Sequence, residues 1–456
     1  PCGACRRVKW NLAAPYTREH SILMEPPMSR IVDVLVVGSG MAGLMAALTA
    51  AEQGRSVQLL TTGMGSLAIS GGSVDFLGYA DGRLAADPWQ SLALLPEDHP
   101  YRLLGTESVR SAFQFFADVM ERQHWPMRPA LAQSGAPRNT QLPTIMGTLK
   151  PSYLLPASLD AQALTSAKRV LVLSVQGLRD CRTALVVSQL KRYKSWADRE
   201  FSQGLLPSPF GETHRAITAL DLARLADKPQ SRQWLLDALA PHAGKYDLIL
   251  IPPLCGSKAN PETWQAINAA AGCPVVEMLS IPPGVGGLRL RDALLHALHK
   301  HNFEMVENTT VLRAEISGKS CTALVAEASG QLRRHAARAF VAATGGILGG
   351  GMTLEPGKCW DSVFGIDITV PQDVAQWSEP EIFGSHLFSH MGVRVDREMR
   401  PVDAAAAVRW QNVFFAGRSL GGYDYATEKS GHGVAIATGW QAGRMAAAAA
   451  GAGENQ

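Results

Sequence analysis

Three glycines stand at spacings of two and three in the run Gly38-Ser-Gly-Met-Ala-Gly43. The apolar, β-branched segment Val34–Val37 precedes this run, and the helix-forming residues 44–53 follow it before Gly54. In a strand–turn–helix unit the first glycine makes the tight turn, the second lets a phosphate group approach the backbone, and the third lets helix and strand pack closely. A second apolar segment, Val57–Leu60, follows, so the spacing predicts a dinucleotide-binding βαβ unit.

The same stretch has an alternative interpretation as a membrane span. Asp33 is the only charged residue between Ile31 and Ala51, and the length approaches the ~20 residues that a bilayer requires. Three glycines and the following apolar strand argue against a span. We therefore expect the chain to have no transmembrane segment of its own.

Two further glycine-rich segments are suited to a flat ring. Residues 63–75, directly after the second predicted strand, are rich in Gly and Ser, and backbone amides in such a loop can donate hydrogen bonds to ring carbonyls. An ordinary surface loop is the alternative interpretation. The run Ser430-Gly-His-Gly433 precedes a helix predicted over Val434–Ala447, whose positive N-terminus suits the negative N1–C2=O region of a reduced flavin. Two such turns favour a flavin over a nicotinamide.

The end of the second predicted strand lacks a carboxylate. An acidic side chain normally holds an adenosine ribose at about 20 residues beyond the glycines, but this chain has Thr61-Thr62-Gly63. A hydroxyl can still accept one ribose hydrogen bond, so adenosine binding is weakened rather than forbidden. One phosphate at the helix N-terminus suits a mononucleotide as well as half of a pyrophosphate. The predicted cofactor is therefore FMN, with FAD as the alternative.

Length, charge and cysteine content exclude several classes of protein. The 456 residues are 46% hydrophobic, which is enough for a large core and for roughly two or three domains. The net charge of +3 is too small to indicate a nucleic-acid surface or a polybasic membrane surface. Seven scattered cysteines indicate a reduced compartment, and Cys2 and Cys5 have no second ligand pair, so no metal site is predicted.

The pattern of apolar segments predicts an α/β fold with a discontinuous Rossmann-like flavin-binding domain and an inserted α/β lobe. Residues 1–29 have mixed charge and no periodic apolar pattern, so we predict a disordered tail there. Residues 166–283 show a separate rhythm of apolar strands and helices and form the predicted lobe. Residues 30–165 and 284–456 form the predicted flavin-binding domain.

The second part of that domain contains several predicted elements. Leu288–His299 has the pattern of a helix, and Met305–Ile316 and Thr322–Ala328 have the pattern of paired strands. A further strand, Arg338–Ala343, is expected to close the nucleotide-binding sheet.

Several short motifs occur in an order that is more specific than any one of them. They are Gly38–Gly43, Ser70-Gly-Gly-Ser-Val-Asp75, His99-Pro-Tyr101 with Leu104-Gly105, Gly147-Thr-Leu149, Ile281-Pro-Pro283, Ala343-Thr-Gly345 and the segment Phe415–Gly433. From about Ser29 to its C-terminus, the chain resembles the B subunits of anaerobic glycerol-3-phosphate dehydrogenases. The broader resemblance is to flavoproteins of the fumarate reductase and succinate dehydrogenase superfamily.

The resemblance implies a flavin-bearing subunit that pairs with a larger, FAD-containing A subunit and with an iron–sulfur C subunit. The iron–sulfur protein would hold the complex at the cytoplasmic face of the inner membrane, so this chain would be peripheral there. The implied reaction is oxidation of sn-glycerol 3-phosphate to dihydroxyacetone phosphate, with electrons passed to the quinone pool. The resemblance also points to FMN.

The candidate cofactor-binding residues belong to the glycine turns and to the strand ends beside them. They are Gly38, Ser39, Gly40, Met41, Ala42, Gly43, Thr61, Ser70, Gly71, Gly72, Thr344, Gly345, Gly417, Gly431, His432, Gly433 and Val434. His432 interrupts a glycine-rich turn, and we expect it to cap or line the flavin end rather than to act in catalysis.

The sequence identifies no catalytic residue. Oxidation of an alcohol that bears a phosphate needs a base near the hydroxyl and Arg or Lys side chains on the phosphate. The arginines that the sequence offers show no clustering pattern: Arg179, Arg289, Arg291 and Arg418. We therefore expect a redox subunit whose flavin relays electrons while the substrate chemistry lies largely in a partner. The alternatives are a standalone flavin oxidoreductase similar to fumarate reductase and a nucleotide-binding fold that serves only as a scaffold.

Overall fold

The computed structural model describes residues 30–211, 216–381, 384 and 386–452. The tail predicted over residues 1–29 lies outside the described residues. Two hydrophobic cores, each built around its own sheet, account for most of the buried apolar side chains. The candidate site is positioned by the larger of the two.

The larger sheet has seven strands and contains the predicted βαβ unit. Val32–Val37 pairs in parallel with Val57–Leu60 on one side and with Gln331–Ala342 on the other. The strand predicted over Arg338–Ala343 corresponds to the last part of Gln331–Ala342. It lies in the middle of the sheet, between Val32–Val37 and Ser320–Ala328, and so does not close it. The order across the sheet is Phe303–Val306, Val57–Leu60, Val32–Val37, Gln331–Ala342, Ser320–Ala328 and Thr309–Ser317, and Val413–Phe415 pairs in parallel with Gln331–Ala342. Parallel strands buried on both faces require uninterrupted apolar runs, which explains the sequence Val-Leu-Val-Val at 34–37.

Helices cover this sheet, and small residues set how closely they approach. The helix of the βαβ unit, Met41–Glu52, packs on the C-terminal helix Gly431–Ala452. A Cβ atom on Gly439 would lie 2.4 Å from the carbonyl oxygen of Ala42, and one on Gly443 would lie 2.4 Å from that of Ala46. The two helices therefore meet backbone to backbone along this face. Thr106–Arg122 and Val285–Leu298 are the other long helices around the larger core.

The smaller core surrounds a parallel, four-stranded sheet. Its strands are, in order across the sheet, Glu200–Leu206, Arg169–Val175, Leu248–Ile251 and Val275–Glu277. Its helices are Thr183–Leu190, Ala219–Ala226, Pro229–Leu239 and Pro261–Ala271. These elements fall within residues 166–283, but the smaller core also takes in Leu142, Ile145 and Leu155 from the preceding segment. The domain boundaries at 165/166 and 283/284 stay a prediction.

The remaining strands and helices are short. The short strands are Tyr79–Ala80, Arg83–Leu84, Met127–Leu131, Pro137–Arg138, Thr140–Pro143, Leu149–Ser152, Leu154–Pro156, Met352–Glu355, Lys358–Asp361 and Asp367–Ile368. The short helices are Pro88–Ser91, Pro100–Leu104, Ala161–Ser166 and Tyr425–Glu428. Within the described ranges, no helix combines the length and the hydropathy that crossing a bilayer requires.

Several predicted elements differ from the structure in their bounds, and two of these differences bear on the sheet and on the candidate site. The strand predicted over Met305–Ile316 is two strands, because Asn308 has a left-handed φ of 53° and ends the first of them. Phe303–Val306 then joins Val57–Leu60 in parallel, and Thr309–Ser317 forms the predicted antiparallel pair with Ser320–Ala328. The C-terminal helix begins at Gly431 rather than at Val434, so the glycine turn is part of its first turn.

Candidate functional site

The three glycines of the first turn are explained by three different structural features. Gly38 has a φ of +105°, and a Cβ there would lie 2.3 Å from the carbonyl oxygen of Ala343. A Cβ on Gly43 would lie 1.8 Å from the carbonyl oxygen of Gly38, so strand and helix could not approach. At Gly40, in contrast, a Cβ would meet no atom within 4 Å. Gly40 therefore faces open space, as a residue at the approach path of a phosphate must.

The helix that begins at Met41 leaves its first N–H groups available. Its N-cap, Gly40, makes no side-chain capping hydrogen bond, and the helix is 12 residues long. The first-turn N–H groups of a helix lack intrahelical partners and carry a partial positive charge. The turn is thus suited to an anionic group such as a phosphate.

A cavity of about 830 Å³ opens beside this turn. Most of the predicted cofactor-binding residues line it: Gly38, Ser39, Gly40, Met41, Ala42, Thr61, Ser70, Gly71, Thr344, Gly345, Gly417, Gly431 and His432. They come from widely separated stretches of the chain. The carboxyl ends of the parallel strands and the N-termini of two helices bring these stretches together.

Four predicted residues lie behind the lining instead. Gly43 and Gly72 are packing positions, because a Cβ on Gly72 would lie 2.5 Å from the Cα atom of Gly286. The N–H of Gly433 donates to the carbonyl oxygen of Asp75 at 2.8 Å. Val434 is fully buried in the larger core. These four residues support the wall of the cavity from behind.

The threonines at the end of the second strand have different surroundings. The Thr61 hydroxyl donates to the carbonyl oxygen of Gly63 at 2.6 Å and accepts from the N–H of Gly63 at 3.1 Å. The Ser39 hydroxyl also donates to the carbonyl oxygen of Gly63, at 2.6 Å. The Thr61 hydroxyl is therefore engaged within the protein. Thr62 is exposed and lines the cavity.

The glycine- and serine-rich loop forms one wall and is fixed by the helix Val285–Leu298. Gly284 donates its N–H to the carbonyl oxygen of Ala68 at 2.8 Å, and Gly287 donates to that of Ser70 at 3.0 Å. A Cβ on Gly287 would lie 1.9 Å from the carbonyl oxygen of Leu67. The loop is therefore held by backbone contacts, and Ser70 and Gly71 on it line the cavity.

A cluster of ionisable side chains at the wall was not predicted from the sequence. Nδ1 of His432 lies 3.0 Å from Oδ1 of Asp75, and Nζ of Lys150 lies 3.5 Å from the same oxygen. Burial raises the pKa of Asp75, but the nearby charges of Lys150 and His432 outweigh burial and hold this pKa far below its ordinary value. All three residues line the cavity. They lie in three distant segments. Asp75 and His432 fall within the short motifs, and Lys150 directly follows one of them.

The four arginines weighed as phosphate ligands separate in the structure. Arg289 is buried and paired with Glu277, Arg291 is paired with Glu307, and Arg179 is exposed. Arg418 lines the cavity, where its guanidinium lies 3.6 Å from the ring centre of Tyr425. One of the four, together with Lys150, therefore supplies positive charge to the cavity.

The smaller core also contributes to the lining. Thr144, Ile145 and Met146 line the cavity beside Leu279, Ser280 and Ile281. The two segments are joined because Ile145 donates its N–H to the carbonyl oxygen of Leu279 at 2.9 Å. The cavity thus lies between the two cores, and sequence periodicity alone does not indicate that arrangement.

The fold and the cavity define a class of protein, the α/β flavoproteins that bind their cofactor at the carboxyl edge of a parallel sheet. Residues 33–434 match the family described as "FAD binding domain", and the cofactor class is therefore a flavin. The chain belongs to the family of anaerobic glycerol-3-phosphate dehydrogenase B subunits, which are oxidoreductases.

The relatives cover nearly the whole chain. A protein of Halobacterium salinarum, named as a probable B subunit of anaerobic glycerol-3-phosphate dehydrogenase, is 31% identical over 91% of this chain and 98% of its own length. The corresponding B subunit of the anaerobic glycerol-3-phosphate dehydrogenase of Vibrio vulnificus is 28% identical over 89% and 94%, respectively. The family predicted from the motifs is thereby confirmed.

Two solved structures show a distant likeness. A 3-ketosteroid Δ1-dehydrogenase from Sterolibacterium denitrificans has a TM-score of 0.43 and 12% identity, covering 92% of this chain and 100% of that one. A quinol fumarate reductase of E. coli has a TM-score of 0.42 and 9% identity, covering 93% and 71%.

Proposed function

We propose that this chain is the flavin-carrying subunit of a membrane-associated anaerobic glycerol-3-phosphate dehydrogenase. In the proposed complex, sn-glycerol 3-phosphate is oxidised to dihydroxyacetone phosphate, and the electrons pass to the quinone pool. The observation that carries the proposal is the cavity of about 830 Å³ shared by the N-termini of helices Met41–Glu52 and Gly431–Ala452. The names of the relatives supply the substrate and indicate a complex of several subunits.

The residues of the cavity fit a flavin nucleotide. The open space over Gly40 and the uncapped helix after it suit a phosphate. The first turn of helix Gly431–Ala452 suits the electron-rich edge of the ring, which gains negative charge on reduction. A bound flavin supplies the two-electron oxidant for the alcohol. The chain itself binds and orients that group and keeps positive charge, from Lys150 and Arg418, at the cavity wall.

The proposed cofactor is FMN, and FAD is its competitor. A ribose-binding carboxylate would contribute about 1.5–3 kcal/mol per charge-assisted hydrogen bond to adenosine binding. The second strand ends in threonines, and the Thr61 hydroxyl is already engaged by Gly63. Both observations lower the expected affinity for the adenosine half of FAD. The family description names FAD, so the two cofactors need a direct comparison.

The proposed partners are a larger, FAD-containing A subunit and an iron–sulfur C subunit. The iron–sulfur protein would anchor the complex, which places this chain at the cytoplasmic face of the inner membrane as a peripheral member. Co-expression with both partners and affinity purification through this chain tests the arrangement. We expect all three proteins to elute together with glycerol-3-phosphate:dye oxidoreductase activity, and elution of this chain alone would contradict it.

The spectrum of the purified chain tests the cofactor assignment. We expect visible flavin absorbance at one flavin per chain, and heat release followed by chromatography is expected to give FMN. A folded, colourless protein that takes up neither nucleotide would refute the flavin assignment. Stoichiometric FAD without FMN would refute only the choice of nucleotide.

A further inference from the structure

A histidine and a carboxylate meet at the cavity wall in a geometry that locates one proton. Nδ1 of His432 lies 3.0 Å from Oδ1 of Asp75 and 3.1 Å from the carbonyl oxygen of Ser73. A carbonyl oxygen can only accept a hydrogen bond, and an ionised carboxylate can only accept one. Nδ1 must therefore carry a hydrogen and donate it.

Nε2 is the ring nitrogen that remains for a ligand. His432 lines the cavity, and within the described ranges Nε2 has no hydrogen-bond partner. Nε2 is not sealed off among the buried polar atoms, so solvent reaches it. A neutral imidazole with its hydrogen on Nδ1 presents a lone pair at Nε2. The arrangement gives the cavity a base whose ring orientation is fixed by a carboxylate.

A second histidine–carboxylate pair serves as a contrast. Nε2 of His99 lies 3.2 Å from Oε2 of Glu428, and Nδ1 of His99 accepts from the N–H of Tyr101. Both nitrogens are thus occupied, and the side chain of His99 is fully buried. Two histidines in the described part of the chain contact a carboxylate at these distances, His99 and His432. Of these, only His432 combines a fixed tautomer with a free nitrogen at the cavity.

We propose that His432 accepts the hydroxyl proton when the substrate alcohol is oxidised in this chain, and that Asp75 is its positioning residue. The inference rests on the proposed function, which supplies the flavin as oxidant. It departs from two expectations drawn from the sequence, that His432 only caps or lines the flavin end and that the substrate chemistry lies largely in a partner. The O–H bond of the alcohol breaks and its proton passes to Nε2. The C–H bond breaks, its electron pair leaves as a hydride to the oxidised flavin, and a carbonyl group forms. The alcohol is oxidised by two electrons and the flavin is reduced by two.

The charges of the lining define the class of substrate. The ionised side chains of the lining are Asp75, Lys150 and Arg418. Asp75 is engaged by His432 and Lys150, which leaves a net positive charge for a ligand. A small alcohol that carries an anionic group, such as a phosphate ester, fits this balance.

The groups that face His432 set the pH dependence of the reaction. Asp75 and Lys150 are in the cluster, Arg418 shares the cavity, and Tyr101 and Glu428 lie behind Asp75. A general base accepts a proton only in its unprotonated form, so the rate of flavin reduction is expected to rise with pH.

The test measures reduction of the bound flavin in the full chain, without a second acceptor. The flavin-loaded protein is mixed anaerobically with sn-glycerol 3-phosphate, and the loss of visible flavin absorbance is followed over a range of pH. We expect His432→Gln to slow reduction by about 10²- to 10⁴-fold and to abolish the rise with pH, as for loss of a general base. Asp75→Asn is expected to slow reduction by at least about tenfold.

The matched control is His296→Gln, on the exposed face of helix Val285–Leu298 and outside the cavity lining. It is expected to keep the wild-type rate and pH profile. Flavin content is measured for every variant, and each rate is expressed per bound flavin. The proposal would be overturned if His432→Gln kept the wild-type rate and pH dependence. It would also be overturned if the wild-type chain held flavin but the substrate did not reduce that flavin. Failure of the chain to hold flavin at all would instead refute the proposed function.

A second readout is independent of turnover. Nitrogen-15 spectra of the folded chain with labelled histidine distinguish the two tautomers of an imidazole. We expect the resonance that disappears in His432→Gln to report a hydrogen on Nδ1 and none on Nε2 at high pH. The opposite tautomer would overturn the proposal even if the Asp75 variant failed to fold.

Discussion

Replacing Glu277, which forms a buried ion pair with Arg289, is expected to destabilise the fold strongly. Each residue is 2% exposed. Glu277 ends a strand of the smaller core and Arg289 lies on helix Val285–Leu298 of the larger one. Removing one member of such a pair leaves an uncompensated charge, at a cost of about 3–5 kcal/mol.

The hydrogen bonds of Glu277 show which substitution at this position costs more stability. Nη2 of Arg289 donates to Oε1 of Glu277 at 2.9 Å, Nη1 donates to Oε2, and the N–H of Cys255 donates to Oε1 at 2.8 Å. Glu277→Ala leaves all three donors without an acceptor, whereas Glu277→Gln keeps one oxygen. We therefore expect the loss for Ala to lie near the upper end of that range and the loss for Gln to be smaller. The double variant Glu277→Leu/Arg289→Met removes both charges and should lose less than either single change to an apolar residue.

Chemical denaturation followed by far-ultraviolet circular dichroism measures these losses. The matched control is Asp292→Asn, which breaks the exposed pair with Lys258 and is expected to cost less than about 1 kcal/mol. Burial raises the pKa of Glu277, but Arg289 outweighs it and lowers this pKa from its ordinary value. The contribution of the pair is therefore present above the ordinary carboxyl pKa and is lost as the pH falls through the lowered one. A loss in Glu277→Ala no larger than in Asp292→Asn at neutral pH would refute the reasoning.

Three further predictions concern the cofactor turn, the nucleotide and a buried carboxyl group. Gly40→Val should leave the protein folded but without flavin in its visible spectrum, because the new Cβ meets no protein atom and occupies the phosphate path. Gly43→Ala should instead lower the melting temperature, because the new Cβ would overlap the backbone of the turn. Thr62→Glu should raise the FAD-to-FMN ratio after heat release by about tenfold or more, and an unchanged ratio would contradict the role given to this strand end. Burial raises the pKa of Asp361 to about 6, so its charged form destabilises the fold above that pH and not below the ordinary pKa. Relative to wild type, Asp361→Asn should therefore be more stable at pH 8 than at pH 4 by about 2–3 kcal/mol. Equal differences in stability at both pH values would show that ionisation of Asp361 does not destabilise the fold.

The sequence predicted the parts of the fold that depend on local pattern. The βαβ unit was correct because its glycines are required by contacts a few residues away, such as Gly43 with Gly38. The break at Asn308 was missed, since apolar residues on both sides of it continue the same pattern. Periodicity does not indicate which partner a strand will choose.

The sequence predicted the parts of the candidate site that are formed by backbone turns, and it missed the cluster that is formed by side chains from distant segments. Glycine turns identify themselves by spacing, and most of those residues do line the cavity. Asp75, Lys150 and His432 come together only because a loop, a hairpin strand and a helix N-terminus converge. Burial determines which arginines can contact a ligand. Arg289 is buried in an ion pair that joins the two cores, so it is not available to a ligand. No sequence spacing distinguishes such an arginine from Arg418.

The contact between the glycine- and serine-rich loop and helix Val285–Leu298 has a consequence for local unfolding. Gly72 and Gly286 touch backbone to backbone, and the same helix is tied to the smaller core through Arg289. The loop therefore has no side chains there that can rearrange to absorb a movement of the helix. Amide hydrogen exchange in the loop and in strand Val275–Glu277 should follow a single opening event, and a bound ring that holds the loop would slow exchange in both at once.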